Sequence, residues 1–138
     1  MMQASIMTEQ QLDELLDDET IPVAHRALWA LLWEGEVRLV EALSLDVRDL
    51  DLDARTIRVD YAKHSALGAA AAPIGDRAAT LLHRAADGRT EGPALHTDGR
   101  PIRRETAARR ARSAGAASIH AFRSSGQAHR RPTRPSPS

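Results

Sequence analysis

Eighteen of the nineteen basic residues in this chain are arginine, and the remaining one is Lys63. Two positions set a cation at helical spacing from a second polar group: Arg38 lies three residues before Glu41, and His120 lies three residues before Arg123. A third stretch holds Arg103, Arg104, Arg109, Arg110 and Arg112 within ten residues. Guanidinium groups are always charged and are forked to match phosphate oxygens, while an amine or an imidazole can trade a proton. Together these types suit stabilisation of charge, and proton transfer, at a phosphodiester. Each has a plainer reading on its own. Arg38 and Glu41 would form a modest helix ion pair, Lys63 a solvated turn charge, His120 a helix-start residue, and the five arginines a solvated face.

The distribution of charge bears on the arginine-rich stretch. The formal net charge is +0, but residues 1–98 hold 9 basic and 18 acidic side chains, whereas residues 99–138 hold 10 arginines and the single Glu105. A net of −9 therefore faces a net of +9, and the cationic end is where a polyanion would bind. Four aromatic residues, Trp29, Trp33, Tyr61 and Phe122, are too few for a platform that stacks single-stranded bases. With no cysteine there is no disulfide scaffold, thiolate metal site or thiol nucleophile, and the cell interior is the default location. His25, His64, His83, His96 and His129 show no metal-site spacing, so neither metal nor cofactor is expected. The longest apolar run, Ala27 to Trp33, is far short of the ~20 residues that span a membrane, and the start MMQASIMTEQ lacks the pattern of a secretory signal.

At 138 residues the chain has material for one core. Thr8 and Gln11 fit a capping box ahead of Leu12, Leu15 and Leu16, which predicts a first helix over about 8–18. Pro22 then allows a second over 23–34, with Trp29 and Trp33 on its core stripe, ended by Gly35. A third, largely buried helix is predicted over 37–45. The alternation in 56–61 marks a half-buried strand, 63–65 with Gly68 a turn, and 69–74 its partner strand. Further helices are predicted over 76–86 and 103–114, separated by a loop-like stretch over 88–100, and another opens at 119–123. From residue 126 the Arg, Pro and Ser content predicts a disordered tail. The expected fold class is α+β, mainly helical, with a small antiparallel sheet of two or three strands. Its organisation is an acidic lead-in over 1–20, a main domain over 21–125 and a tail over 126–138.

The order of these pieces resembles the catalytic domain of the tyrosine recombinases, also called phage integrases. The resemblance rests on Gly35-x-x-Arg38-x-x-Glu41, on Leu45-x-x-x-Asp49 entering a sheet, on Lys63 in the hairpin turn, and on a Pro73-Ile74 strand end. It continues through the Leu95…Gly99-Arg-Pro-Ile loop and the Arg-rich helix to His120-Ala-Phe-Arg123, 82 residues beyond Arg38. The resemblance implies site-specific DNA recombination and integration, with double-stranded DNA and other recombinase protomers as partners and no small-molecule substrate. It implies that Arg38 and Arg123 clamp the phosphate and that Lys63 protonates the departing 5′ oxygen. His120 would assist proton transfer, Glu41 would hold the site together, and Arg103, Arg104, Arg109, Arg110 and Arg112 would contact DNA. A soluble, cytoplasmic protein is expected.

The family's nucleophile is a tyrosine that lies beyond the His-x-x-Arg block, whereas the one tyrosine here is Tyr61, two residues before Lys63 and better explained by the strand. The chain is therefore expected to correspond to a C-terminally truncated catalytic domain that cannot complete strand cleavage. Loss of the family's later helices would leave the apolar faces of 23–34 and 37–45 uncovered, giving an adhesive patch and a low melting temperature. Two alternatives stand beside this reading: a noncatalytic module that binds DNA or a recombinase, and a decayed gene remnant without activity.

Overall fold

In the computed structural model, which describes residues 6–34, 37–60 and 69–130, the central element is the helix α2, Val23–Glu34. It is apolar almost all round, and every residue from Ala24 to Trp33 is buried, as expected of a helix enclosed by its neighbours. Four helices enclose it: α1 (Glu9–Leu16), α3 (Leu39–Leu43), α4 (Asp76–Ala86) and α6 (His120–Arg130). The sixth, α5 (Arg104–Ser113), packs on α3 through a face that buries Ala107 and Ala111.

Local signals account for several boundaries. Thr8 caps α1 as expected: its hydroxyl accepts the Gln11 N–H at 3.0 Å, and the Gln11 side chain accepts the Thr8 N–H at 2.8 Å. The far end of α1 is finished by Arg26, a buried side chain of α2. Its guanidinium donates to the carbonyl of Leu16 (3.2 Å), an acceptor that the helix end leaves open, and to that of Ile21 (2.9 Å) in the connector to α2.

Strands β1 (Leu50–Asp51), β2 (Thr56–Asp60) and β3 (Ala69–Pro73) form an antiparallel sheet in the order β1-β2-β3, with Leu50 opposite Ile57 and Ile57 opposite Ala72. Ile57 and Val59 are buried and Arg58 is exposed, which is the predicted alternation. A second, two-stranded ribbon pairs β4 (His96–Thr97) with β5 (Arg100–Pro101) inside the stretch expected to be loop. The signal for it was present. Asp98 and Gly99 both have positive φ, 53° and 80°, and Asp-Gly is a favoured pair for a two-residue hairpin. The mainly helical fold with small antiparallel sheets thus agrees with the expectation.

Three expectations need correction. Helix α3 covers Leu39–Leu43 rather than 37–45, because Arg38 has extended backbone (φ −90°, ψ 161°) and serves as its N-cap. Residues 126–130, expected to begin a disordered tail, are the last turns of α6. Nor is a broad uncovered apolar patch found among the described residues. Among the described residues only Ile6 and Val40 are large, apolar and exposed, because α6 lies over α2. Phe122 stacks on Trp29, and Gly126 meets the Trp33 backbone so closely that a Cβ there would lie 2.1 Å from the Trp33 carbonyl oxygen. The Gly35 helix break, Tyr61, the Lys63-to-Ser65 turn and the tail over 131–138 lie outside the described residues.

Candidate nucleic-acid interface

Arg38 owes its place to the junction between α2 and α3. As N-cap of α3 it offers a backbone N–H to the Glu41 carboxylate, 2.8 Å away, in the first turn of that helix. The pair therefore meets through the backbone. The side-chain ion pair of the plainer reading is not formed, and the exposed Arg38 guanidinium bridges to no carboxylate among the described residues. Glu41 is half-buried and fixes the backbone from which that guanidinium extends. The following segment is tied down by Asp46, whose carboxylate accepts the Gly92 N–H at 3.1 Å while the Val47 N–H donates to the Gly92 carbonyl at 2.8 Å. The hydrogen bonds from Arg48 and Gly92 hold the Asp46 carboxyl below its ordinary value.

His120 and Arg123 lie one turn apart at the start of α6, so they share a helix face. His120 is exposed. Arg123 is half-buried, and its Nε is shut off from water with no hydrogen-bond partner among the described residues. A cationic N–H withdrawn from water without an acceptor is costly, and an anion is what would relieve that cost. Arg38 and Arg123 are borne by α3 and α6, which both pack on α2. Lys63 lies outside the described residues.

On α5, Arg103 is the N-cap and is exposed, as are Arg104, Arg109 and Arg112. Arg110 is different. It is half-buried, and its charge reaches His25 in α2. Burial is the main cause that lowers His25 to about 4, with Arg110 adding to it. Four of the five arginines thus face solvent and one turns inward. Among the described residues no group of three acidic or histidine side chains could hold a metal ion, and no helix is long and apolar enough to cross a membrane.

Sequence reasoning missed the N-terminal clasp on α6. The Met7 N–H donates to the Ser125 hydroxyl at 2.8 Å, the Met7 carbonyl lies 3.0 Å from Nε2 of His129, and the His129 ring stacks on Trp33 at 5.2 Å between centroids. No local pattern marks contacts between residues more than ninety positions apart.

Comparison with known proteins agrees with this architecture. The chain is similar to a solved structure described as the crystal structure of XerA recombinase, with 18% sequence identity and a TM-score of 0.69 over 85% of this chain and 46% of that one. It thus spans just under half the length of that protein. No curated protein matches it. The model of the phage integrase family matches residues 5–130, from just before the Met7 clasp to the last residue of α6. The chain belongs to the phage integrase family.

Proposed function

We propose that this chain is a recombinase-like DNA-binding protein that grips the phosphodiester backbone of duplex DNA without cleaving it. In this reading Arg38 and Arg123 converge with Lys63 in one cationic pocket that clamps a phosphate. His120 and Lys63 are the groups suited to proton transfer there, and Glu41 holds the backbone of Arg38. Arg103, Arg104, Arg109 and Arg112 extend the contact along the duplex, and Arg110 supports it from the inner side of α5. The observation that carries the reading is the Nε of Arg123, shut off from water and without a hydrogen-bond partner among the described residues, on a helix that packs on α2 as does the helix capped by Arg38. A phosphate oxygen would supply the missing acceptor, in a bidentate geometry that guanidinium favours.

No nucleophile is proposed among these 138 residues, whose one tyrosine is Tyr61, two positions before Lys63. A decisive experiment titrates a duplex oligonucleotide at several salt concentrations. Each neutralised phosphate should steepen log K against log salt by about 0.9, and Arg123→Ala should remove about one such increment. A flat salt response overturns the reading. A nicked suicide duplex tests the second half: non-covalent binding alone is expected, and a covalent protein–DNA adduct would show that the chain cleaves after all.

A further inference from the structure

At the end of α2, the Glu34 carboxylate leaves its own helix and enters the first turn of α4. Its Oε1 accepts the Ala78 N–H at 3.1 Å, the bond that a side chain at the N-cap position normally makes. That N-cap position is Gly75, which has no side chain to offer, and the space is filled by Glu34 itself. A Cβ on Gly75 would lie 2.6 Å from Glu34 Oε1 and 2.9 Å from its Cδ. Glycine is thus what allows the carboxylate to seat. Burial raises the Glu34 carboxyl above its ordinary value, against the opposing influence of the Ala78 and Gly75 N–H groups and the Arg77 charge.

A Ser or Asp at position 75 would cap α4 locally without taking a charge out of water. Capping from a residue 41 positions earlier does something a local cap cannot: it ties the last turn of α2 to the start of α4. The neighbouring Trp33 is fastened to α6, where its carbonyl accepts from the Arg130 guanidinium and its backbone meets Gly126. Arg38 follows Glu34 by four positions, with the fully buried Val37 between them.

We propose that Glu34 is a positioning residue for Arg38, its carboxylate locking the end of α2 to α4 so that the chain leaves for α3 with Arg38 correctly placed. This rests on the reading of Arg38 as a phosphate ligand. The lock works through an oxygen acceptor of the right size and position, so the amide of Gln can replace the carboxylate.

The test uses the full chain, a duplex oligonucleotide and backbone hydrogen exchange. Glu34→Ala, and separately Gly75→Ala, should weaken DNA binding roughly tenfold and flatten the salt dependence by about one phosphate, as Arg38→Ala does. Glu34→Gln should restore both. In the Arg38→Ala background Glu34→Ala should cause no further loss. Protection of the Arg38 and Ala42 amides should fall in Glu34→Ala and return in Glu34→Gln, while the amides of 28–31 in the middle of α2 stay protected and report that the chain is folded. The inference is overturned if Glu34→Ala costs the same affinity with or without Arg38, if Gln fails to rescue, or if the Arg38 amide is equally protected in all variants. The underlying reading fails in a different way: Arg38→Ala then leaves DNA affinity unchanged, and hydrogen exchange alone decides whether Glu34 holds the Arg38 backbone.

Discussion

Trp29, in the middle of α2, and Phe122, in the first turn of α6, stack nearly parallel, with ring centroids 4.9 Å apart and planes 5° from each other. Both are fully buried. Phe122 immediately precedes Arg123, so the contact that anchors α6 also sets where the second guanidinium leaves the helix. Removing the ring should be costly in two ways. Phe122→Ala should lower stability by about 3–5 kcal/mol, through lost transfer energy and the cavity left beside Trp29, and Phe122→Leu by much less. Urea unfolding of the two variants checks this, and a loss under 1 kcal/mol for Ala would show that α6 is not anchored here.

Gly126 tests the same helix at its other end. An added methyl group would lie 2.1 Å from the Trp33 carbonyl oxygen, and that atom belongs to backbone and has no rotamer to retreat into. Gly126→Ala should therefore destabilise by about 2 kcal/mol or more, although Ala is the better helix former in isolation. A stabilised variant in thermal unfolding would mean that α6 and α2 are farther apart than described.

His25 makes stability depend on pH. Its folded value of about 4 lies below the ordinary 6.5, so the folded chain holds it neutral while the unfolded chain takes up a proton. The associated stability is complete above pH 6.5 and is lost as pH falls from 6.5 toward 4, by a total of roughly 3 kcal/mol. Asp18 and Asp46, whose folded values are lowered from 3.8, lose their contributions only at more acid pH. Glu34, raised above 4.5, acts in the opposite sense and adds stability as the medium becomes acid. Between pH 7, 5.5 and 4.5 the urea midpoint of the parent should fall relative to that of His25→Leu, so the variant gains on the parent most at the acid end. Parallel curves would remove His25 from the account.

The arginines of α5 should separate into two classes. Arg109→Ala and Arg112→Ala, both on the exposed side, should each lower duplex affinity without regard to base sequence and reduce the salt slope by about 0.9. Arg110→Ala should change the slope less and raise the pKa of His25, because it removes a neighbouring positive charge. Salt titrations and a histidine NMR titration read the two effects separately, and equal slopes for all three variants would contradict the inward turn of Arg110.

Much of this molecule is legible from one end of the chain to the other. Helices α2 and α4 occupy the spans read from the sequence, with Pro22 marking the start of α2. The Thr8 capping box and the alternation of Ile57, Arg58 and Val59 are likewise local facts. The spacings of Arg38 with Glu41 and of His120 with Arg123 are visible without coordinates, and they carry the family resemblance. Each of these depends on interactions within a few residues, which the order of side chains specifies directly.

What tertiary structure decided depends on surfaces that meet from far apart. The segment 124–130 is too polar and too rich in Ser and Gly to be read as a helix from its own propensities. It becomes one because Phe122, Ser125 and Gly126 form a face that fits α2. Arg38 is legible as a candidate phosphate ligand, but that its extended backbone caps α3 and meets Glu41 through its N–H is a feature of the fold. Glu34 and Gly75 have no reason to be considered together in a linear reading. Packing of α2 against α4 brings a carboxylate into the place of a missing side chain, and only close approach in three dimensions can create that relationship.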